Sequence, residues 1–187
     1  MILLTTSRRP TQGIRTFCKD LSYTIPNIVR INRGKLSLEG IAAKALELNA
    51  EKVVIVDRWK GGPGKIELYK FDGKELHPIP PLIYLRGVKF RREFRTMPKG
   101  RRIKSTAIVT SPRPSQDVCR LEKALSDFFS IPMFSNENEC GGFDALMKIT
   151  ASQAGELAVT FKLLPENVEI GPRMRISHLI WDLNHEG

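Results

Sequence analysis

Thr6-Ser7-Arg8-Arg9-Pro10-Thr11-Gln12 comes back as Thr110-Ser111-Pro112-Arg113-Pro114-Ser115-Gln116, 104 positions later (110 against 6). What flanks the stretch returns too. A short apolar run precedes each copy, Ile2-Leu3-Leu4 in one and Ala107-Ile108-Val109 in the other. After it, Ile14, Phe17 and Leu21 are matched at the same shift by Val118, Leu121 and Leu125. That spacing of i, i+3 and i+7 is one face of an amphipathic helix. The unit is strand, polar Ser/Arg/Pro turn and helix, made twice. Pro10 and Pro114 are expected in the first helical turn, where a missing N–H costs nothing. A period this long exceeds a solenoid repeat and indicates a duplicated half-domain.

The rest of the chain fills out the two halves, 1–81 and 82–187. In the first, Ile28-Val29-Arg30-Ile31 reads as a short strand and Asn32-Arg33-Gly34-Lys35 as a turn, with Gly34 available for positive φ. Ser37 is the expected N-cap of a second helix with an apolar stripe at Leu38, Ile41, Ala42, Ala45, Leu46 and Leu48. Lys52 to Val56 is a strand buried on both faces. Trp59 to Gly64 reads as a loop and Lys65 to Phe71 as its hairpin partner. Pro78-Ile79-Pro80-Pro81 closes the half. In the second half, the run through Leu146 and Met147 reads as a short helix and Glu156 to Leu164 as a strand, 104 residues on from Lys52. Arg173 to Trp181 alternates as the last strand. Two strand–helix units per half imply an α/β fold with a mixed sheet and packed helices.

Charge is the strongest global feature. The 187 residues carry 30 Lys+Arg against 20 Asp+Glu, a net charge of +10, which predicts a polyanionic partner. Between Tyr84 and Lys104 stand nine cations (Arg86, Lys89, Arg91, Arg92, Arg95, Lys99, Arg101, Arg102, Lys104) against Glu93 alone. Phe90 and Phe94 are interleaved with them and read as anchors to the core, with stacking on bases as the alternative. Gly87, Pro98 and Gly100 break this segment, so it makes no sustained amphipathic helix for a membrane surface. Met1 to Leu4 is too short for a signal-peptide core, and no apolar run has bilayer length. Three cysteines (Cys18, Cys119, Cys140), with no CxxC pair, point to a reducing compartment and against structural zinc. Cys18 and Cys119 read as small core residues of the two helices.

Four motifs, in order, carry a resemblance. They are the opening Thr6-Ser7-Arg8-Arg9-Pro10, Arg30-Ile31-Asn32-Arg33-Gly34-Lys35, Val56-Asp57-Arg58-Trp59-Lys60 running on to Lys65, and Glu169-Ile170-Gly171-Pro172-Arg173-Met174. Together they resemble the Brix-domain family of ribosome biogenesis proteins, in its short archaeal-type single-domain form, over essentially the whole chain. The resemblance implies two similar α/β halves, each like the anticodon-binding domain of class IIa aminoacyl-tRNA synthetases. It also implies a role in pre-rRNA processing and subunit assembly, and makes Gly171, Pro172 and Arg173 a proposed RNA-binding element. One departure stands out: Arg8 of the first turn is replaced by Pro112 in the second, so the two halves should not contact RNA equally.

The expected function is therefore RNA binding without catalysis. The candidate contacts are Arg8, Arg9, Arg30, Arg33, Lys35, Arg58, Lys60, Arg91, Arg92, Arg113, Gly171, Pro172 and Arg173, since cations in turns neutralise phosphates and arginine suits bidentate contact. The basic segment is expected as a flexible electrostatic arm. Expected partners are pre-rRNA or rRNA and ribosome assembly proteins, with no cofactor, metal, membrane or small-molecule substrate. The expected location is the cytoplasm, or the nucleolus in a eukaryote. Gly61 to Lys65 fails as a Walker A loop, with Trp59 where glycine is needed and Ile66 in place of Ser or Thr. His77, His178 and His185 are scattered, with no ligand pair at i and i+4. The alternative is a protein-interaction module of an assembly complex with only nonspecific RNA affinity.

Overall fold

The computed structural model describes residues 1–184; His185 lies outside them. The chain is mixed α/β and divides into two compact units. The first comprises residues 1–22 and 27–85 with the C-terminal segment from His178, and the second comprises 23–26 and 86–177.

In the first unit, β1 (Ile2–Thr6) leads to α1 (Gln12–Thr24), β2 (Ile28–Arg30), α2 (Leu38–Glu47), β3 (Lys52–Trp59) and β4 (Gly62–Phe71). Strand β1 is parallel to both β2 and β3, with Leu4 opposite Arg30 and Val54. Parallel neighbours cannot be joined by tight turns, so a helix carries the chain back after each strand. All five residues of β1 and Val53 to Val56 of β3 are buried, as strands covered on both faces must be. Helix α2 lays Ile41 and Ala45 on Leu3, Val53 and Ile55. The Ser37 hydroxyl accepts the Gly40 N–H at 3.2 Å, so the expected cap is present. Leu38 and Leu46, expected in the apolar stripe, are exposed instead. Helix α1 buries Ile14, Phe17, Cys18 and Leu21; emptying the Phe17 site would cost about 3–5 kcal/mol.

Helix α1 opens at Gln12, so Pro10 stands ahead of it and not in its first turn. Thr11 makes the cap, its Oγ1 accepting the Ile14 N–H at 3.3 Å. The expected loop from Trp59 to Gly64 is in fact a tight hairpin. Trp59 pairs with Gly62, and Lys60 and Gly61 take φ values of 50° and 88°, the left-handed pair that matches strand twist. The expected break at Pro78 to Pro81 lies inside β5 (Leu76–Lys89). Ile66 pairs with Ile83 and Leu68 with Ile79, which leaves Pro80, Pro81 and Leu82 opposite Glu67 alone. A bulge is where a strand tolerates residues without an N–H.

In the second unit, α3 (Arg91–Phe94) is followed by β6 (Thr106–Val109), α4 (Gln116–Phe129), β7 (Met133–Phe134), a 3₁₀ turn (Glu137–Cys140), β8 (Ala145–Ala151), β9 (Leu157–Leu163), β10 (Val168–Glu169) and β11 (Arg173–Ile180). Strand β6 is parallel to β7 and β8, and β8 is antiparallel to β9. This order of pairing is that of β1 with β2 and β3, and of β3 with β4. Ser115 caps α4 through Val118 N–H at 3.2 Å, the position of Thr11 at the 104-residue shift. The run through Leu146 and Met147 is strand β8, not a helix. Alanine, leucine and methionine favour helix intrinsically, but burial of Ala145, Leu146 and Met147 on both faces decides for a strand. No counterpart of α2 forms among the described residues here. The 3₁₀ turn takes its place, with Cys140, Phe134 and Phe143 packed on Ala107 and Leu146. By pairing, β8 takes the place of β3 in this unit, so Glu156 to Leu164, expected in that place from the 104-residue shift, instead holds β9, which takes the place of β4.

Cys18 is buried, and burial pushes its thiol up to about 12, slightly opposed by the charge of Arg30. Cys119, expected in the core, is exposed on α4. Labelling of the native protein with a thiol reagent near pH 8 should therefore modify one cysteine quickly, Cys119, and Cys119→Ser should abolish the fast phase. A fast phase that survives Cys119→Ser would contradict the burial of Cys18 and Cys140.

Candidate nucleic-acid interface

Because β1, β2 and β3 run parallel, the turns that leave them gather at one edge of the first unit, the carboxyl end where open α/β sheets bind ligands. Arg8 and Arg9 are exposed in the turn after β1, which Ser7 fixes by donating its N–H to Val56 O at 2.9 Å. Arg30 is exposed at the end of β2, and Lys35 in the turn beyond it, where Gly34 has φ of 53°. Arg58 and Lys60 are exposed at the end of β3. Six of the expected contacts thus converge.

Arg33 does not join them. It is only 8% exposed, and its guanidinium donates to Leu36 O at 2.6 Å and Thr6 O at 3.2 Å. Burial, followed by the neighbouring charge of Arg8, lowers its pKa, while Tyr69, Glu67 and Asp57 act in the opposite sense. It is an internal brace that ties the turn after β2 to the end of β1. The sequence pattern marks it as a turn cation like its neighbours, since burial of one arginine among several leaves no periodic signal.

The second unit's equivalent edge is different. Arg113 is exposed with φ of 58°, but the turn around it is held by a buried carboxylate. Glu122, 2% exposed, accepts from Ser111 N at 2.9 Å and lies 3.1 Å from Ser111 Oγ, which also reaches Ile149 O at 2.8 Å. Its position corresponds to Cys18 at the repeat shift. Glu137, paired with Lys148, and Glu139 follow β7. The second Ser/Arg/Pro turn is thus braced by a buried carboxylate, with Arg113 its one cation.

The basic segment is pinned along its length and is not the free arm expected from sequence. Glu93 accepts from Phe90 N at 2.7 Å. Thr96 Oγ1 donates to Glu169 O, Arg101 donates to Leu164 O at 2.6 Å, and Asp144 accepts from Lys104 N at 2.8 Å. Phe94 is the main anchor. A Cβ on Gly171 would stand 2.4 Å from Phe94 Cε2, so the ring occupies the space that only glycine leaves. Gly171 also has φ of 66°. Lys89 Nζ lies 4.4 Å from the Phe94 centroid and the Arg173 guanidinium 5.4 Å. Arg91 stands over Tyr23 at 5.4 Å and Arg92 over Phe90 at 5.2 Å. Arg92, Arg95, Lys99, Arg102 and Lys104 are exposed.

The expected Gly-Pro-Arg contact is corrected by the same geometry. Gly171 and Pro172 are buried, so neither presents itself to a ligand. Arg173 is half-buried, its Nε donating to Glu169 Oε1 at 2.6 Å and Nη2 to Oε2. Burial works against the charged form of Glu169, but hydrogen bonds from Arg173 and Thr160 outweigh it and leave its pKa lowered. The segment is the seat of the basic arm.

One cluster has no signature in the sequence. Trp59 from β3, Tyr84 from β5 and His178 from β11 meet within the first unit. Tyr84 and His178 stack at 4.3 Å and 10°, and Trp59 stands edge-on to both at 5.1 and 5.6 Å. Lys60 Nζ lies 4.5 Å from the Trp59 ring. Among the described residues no group of three or more His, Cys, Asp or Glu could hold a metal, and no helix is long and apolar enough to cross a membrane.

Two outcomes test the seat. Gly171→Ala should lower stability by about 2–5 kcal/mol in urea unfolding, from backbone strain and overpacking against Phe94. A loss below about 0.5 kcal/mol would contradict the close approach. Because Glu169's folded pKa is lowered, its contribution is present above the ordinary carboxylate range near 4.3 and is lost as pH falls through the folded value. Glu169→Gln should therefore be less stable than the wild type at pH 7, with the gap closing towards pH 3.

No protein-family model matches the chain. A curated relative from Aeropyrum pernix, a probable Brix domain-containing ribosomal biogenesis protein, is 41% identical over 92 residues, which cover 49% of this chain and 51% of that one. The chain's matches span about half the length of the curated relatives. The crystal structure of a probable ribosomal biogenesis protein from Aeropyrum pernix K1 is 30% identical with a TM-score of 0.77, covering 96% of this chain and 98% of that one. An archaeal Imp4-like protein, at 23% identity and a TM-score of 0.63, covers 96% and 99% and shares the fold. With the four motifs and a 30% identical structure matched end to end, the chain belongs to the Brix domain-containing ribosomal biogenesis proteins.

Proposed function

We propose that this protein is a non-catalytic RNA-binding factor of ribosome biogenesis, acting in pre-rRNA processing and subunit assembly. The observation that carries the reading is the convergence of Arg8, Arg9, Arg30, Lys35, Arg58 and Lys60 at the carboxyl edge of three parallel strands. Turn cations on a rigid scaffold can bind successive phosphates, and the counterions they release favour binding at low salt. Arg91, Arg92 and the exposed cations after them add a second basic surface, held by Phe94. Arg113 contributes less, because it is the one cation of a turn braced by the Glu122 carboxylate. Its partners in chemical terms are structured rRNA precursors and the proteins that assemble on them.

We read the chain as one domain of two related halves, about 1–81 and 82–187, each comparable to an anticodon-binding domain. The repeated Ser/Arg/Pro turn and the repeated order of parallel and antiparallel pairing support descent by duplication. The alternative, a protein-interaction module with only nonspecific RNA affinity, draws support from the exposed Leu38 at a groove lined by Tyr69, Leu76, Pro78 and Ile79.

A salt series with a pre-rRNA transcript and an unrelated RNA of equal length separates the two readings. Arg9→Ala and Arg58→Ala should each weaken binding and reduce the slope of log K against log salt by about one. Arg173→Ala should lower stability but leave that slope nearly unchanged. Equal affinity for both RNAs with slopes untouched by the turn substitutions would sink the RNA-recognition reading in favour of the alternative.

A further inference from the structure

We infer that Trp59, Tyr84 and His178 form a stacking platform for an unpaired nucleobase, so that the RNA taken by the first unit includes a single-stranded segment. The inference rests on the RNA-binding reading and specifies which RNA the site takes. Tyr84 and His178 are nearly parallel, 10° apart with centroids at 4.3 Å, and His178 is exposed. A planar base set against the exposed His178 adds to a stack that is already formed. Trp59, at 67° and 72° to the other two, forms a wall along it.

The cluster is built rather than incidental. Trp59 is fixed by the hairpin beneath it, since a Cβ on Gly64 would come within 2.5 Å of Trp59 Cβ. Tyr84 stands opposite Lys65 in the β4–β5 register. None of the three is fully buried: His178 is exposed, and Trp59 and Tyr84 are half-buried.

Cations of the turn edge stand beside these rings, Lys60 Nζ lying 4.5 Å from the Trp59 centroid. Arg58 and Lys60 flank Trp59 on the same hairpin. Cations that track a backbone beside aromatic faces that take bases are the combination used for single strands. A duplex, whose bases are already stacked and paired, cannot use the rings.

The test uses the full chain and three probes of equal phosphate count: a single-stranded oligoribonucleotide of about eight nucleotides, its abasic equivalent and a blunt duplex. In a Trp181→Phe background, Trp59 fluorescence should change with the single strand and not with the abasic chain. His178→Ala should weaken single-strand binding by roughly five- to hundredfold, with the salt slope and abasic-chain affinity unchanged, and His178→Phe should restore most of the loss. Tyr84→Leu should act in the same direction. Wild-type affinity for the single strand in His178→Ala and Tyr84→Leu overturns the platform, as does equal binding of the base-bearing and abasic chains by the wild type. A wild type that binds none of the three probes overturns the RNA-binding reading and the platform with it.

Discussion

The parallel pairing of β1 with both β2 and β3 is the constraint on which the first unit depends. Thr6 stands opposite Val56 and Leu4 opposite Arg30, so the three strands end at a common edge. A strand flanked by two parallel neighbours must be left and re-entered through crossovers, which places every post-strand turn at the same end. Arg8, Lys35 and Arg58 are far apart in sequence and brought to one edge for this reason. The register also sets which arginine is sacrificed. Arg33 lies where its guanidinium reaches both Thr6 O and Leu36 O, and carbonyls left unpaired beneath a turn would cost more than one surface cation gains.

The second unit solves the same problem with other materials. Its parallel strands β6, β7 and β8 reproduce the pairing, but a buried carboxylate braces the turn after β6 where the first unit has Cys18 at the matching helical position. A carboxylate that accepts a backbone N–H stabilises a turn, yet it also cancels the potential that would draw a phosphate there. Charge in this unit is carried elsewhere, on a segment whose position depends on one ring seated on one glycine. Phe94 needs the missing Cβ of Gly171, and Arg173 and Lys89 lie over the ring and keep it there.

What could be read from the sequence follows from how local each signal is. The strands with near-continuous apolar runs, the helices with i, i+3, i+7 faces and the Ser37 cap depend on neighbours within a turn or two, and all were legible. Strand β8 was not, because Ala145-Leu146-Met147 prefers helix until burial on both faces is known. Strand β5 was not, because two prolines read as a stop, whereas the bulge opposite Glu67 absorbs them. At the site, the turn cations were legible as a class but not individually. Whether an arginine faces water, like Arg9, or carbonyls, like Arg33, is decided by contacts from residues 27 positions away. The role of Gly171 was misplaced for the same reason, since its partner Phe94 is remote in the chain.

The aromatic cluster extends this argument to function. Trp59, Tyr84 and His178 come from three strands, and no periodicity or spacing links them. Read singly, each is an unremarkable strand residue: a tryptophan beside a turn, a tyrosine in an alternating run, a histidine without a ligand partner. Joined, they add to the basic edge a feature that cations cannot supply. Phosphate contacts fix position and register but are blind to what the backbone carries, whereas a ring responds to whether a base is free to stack. A turn edge of arginine and lysine alone would hold duplex and single strand alike. With Trp59 on the hairpin that carries Arg58 and Lys60, the proposed RNA edge gains a physical means of preferring RNA whose bases are exposed.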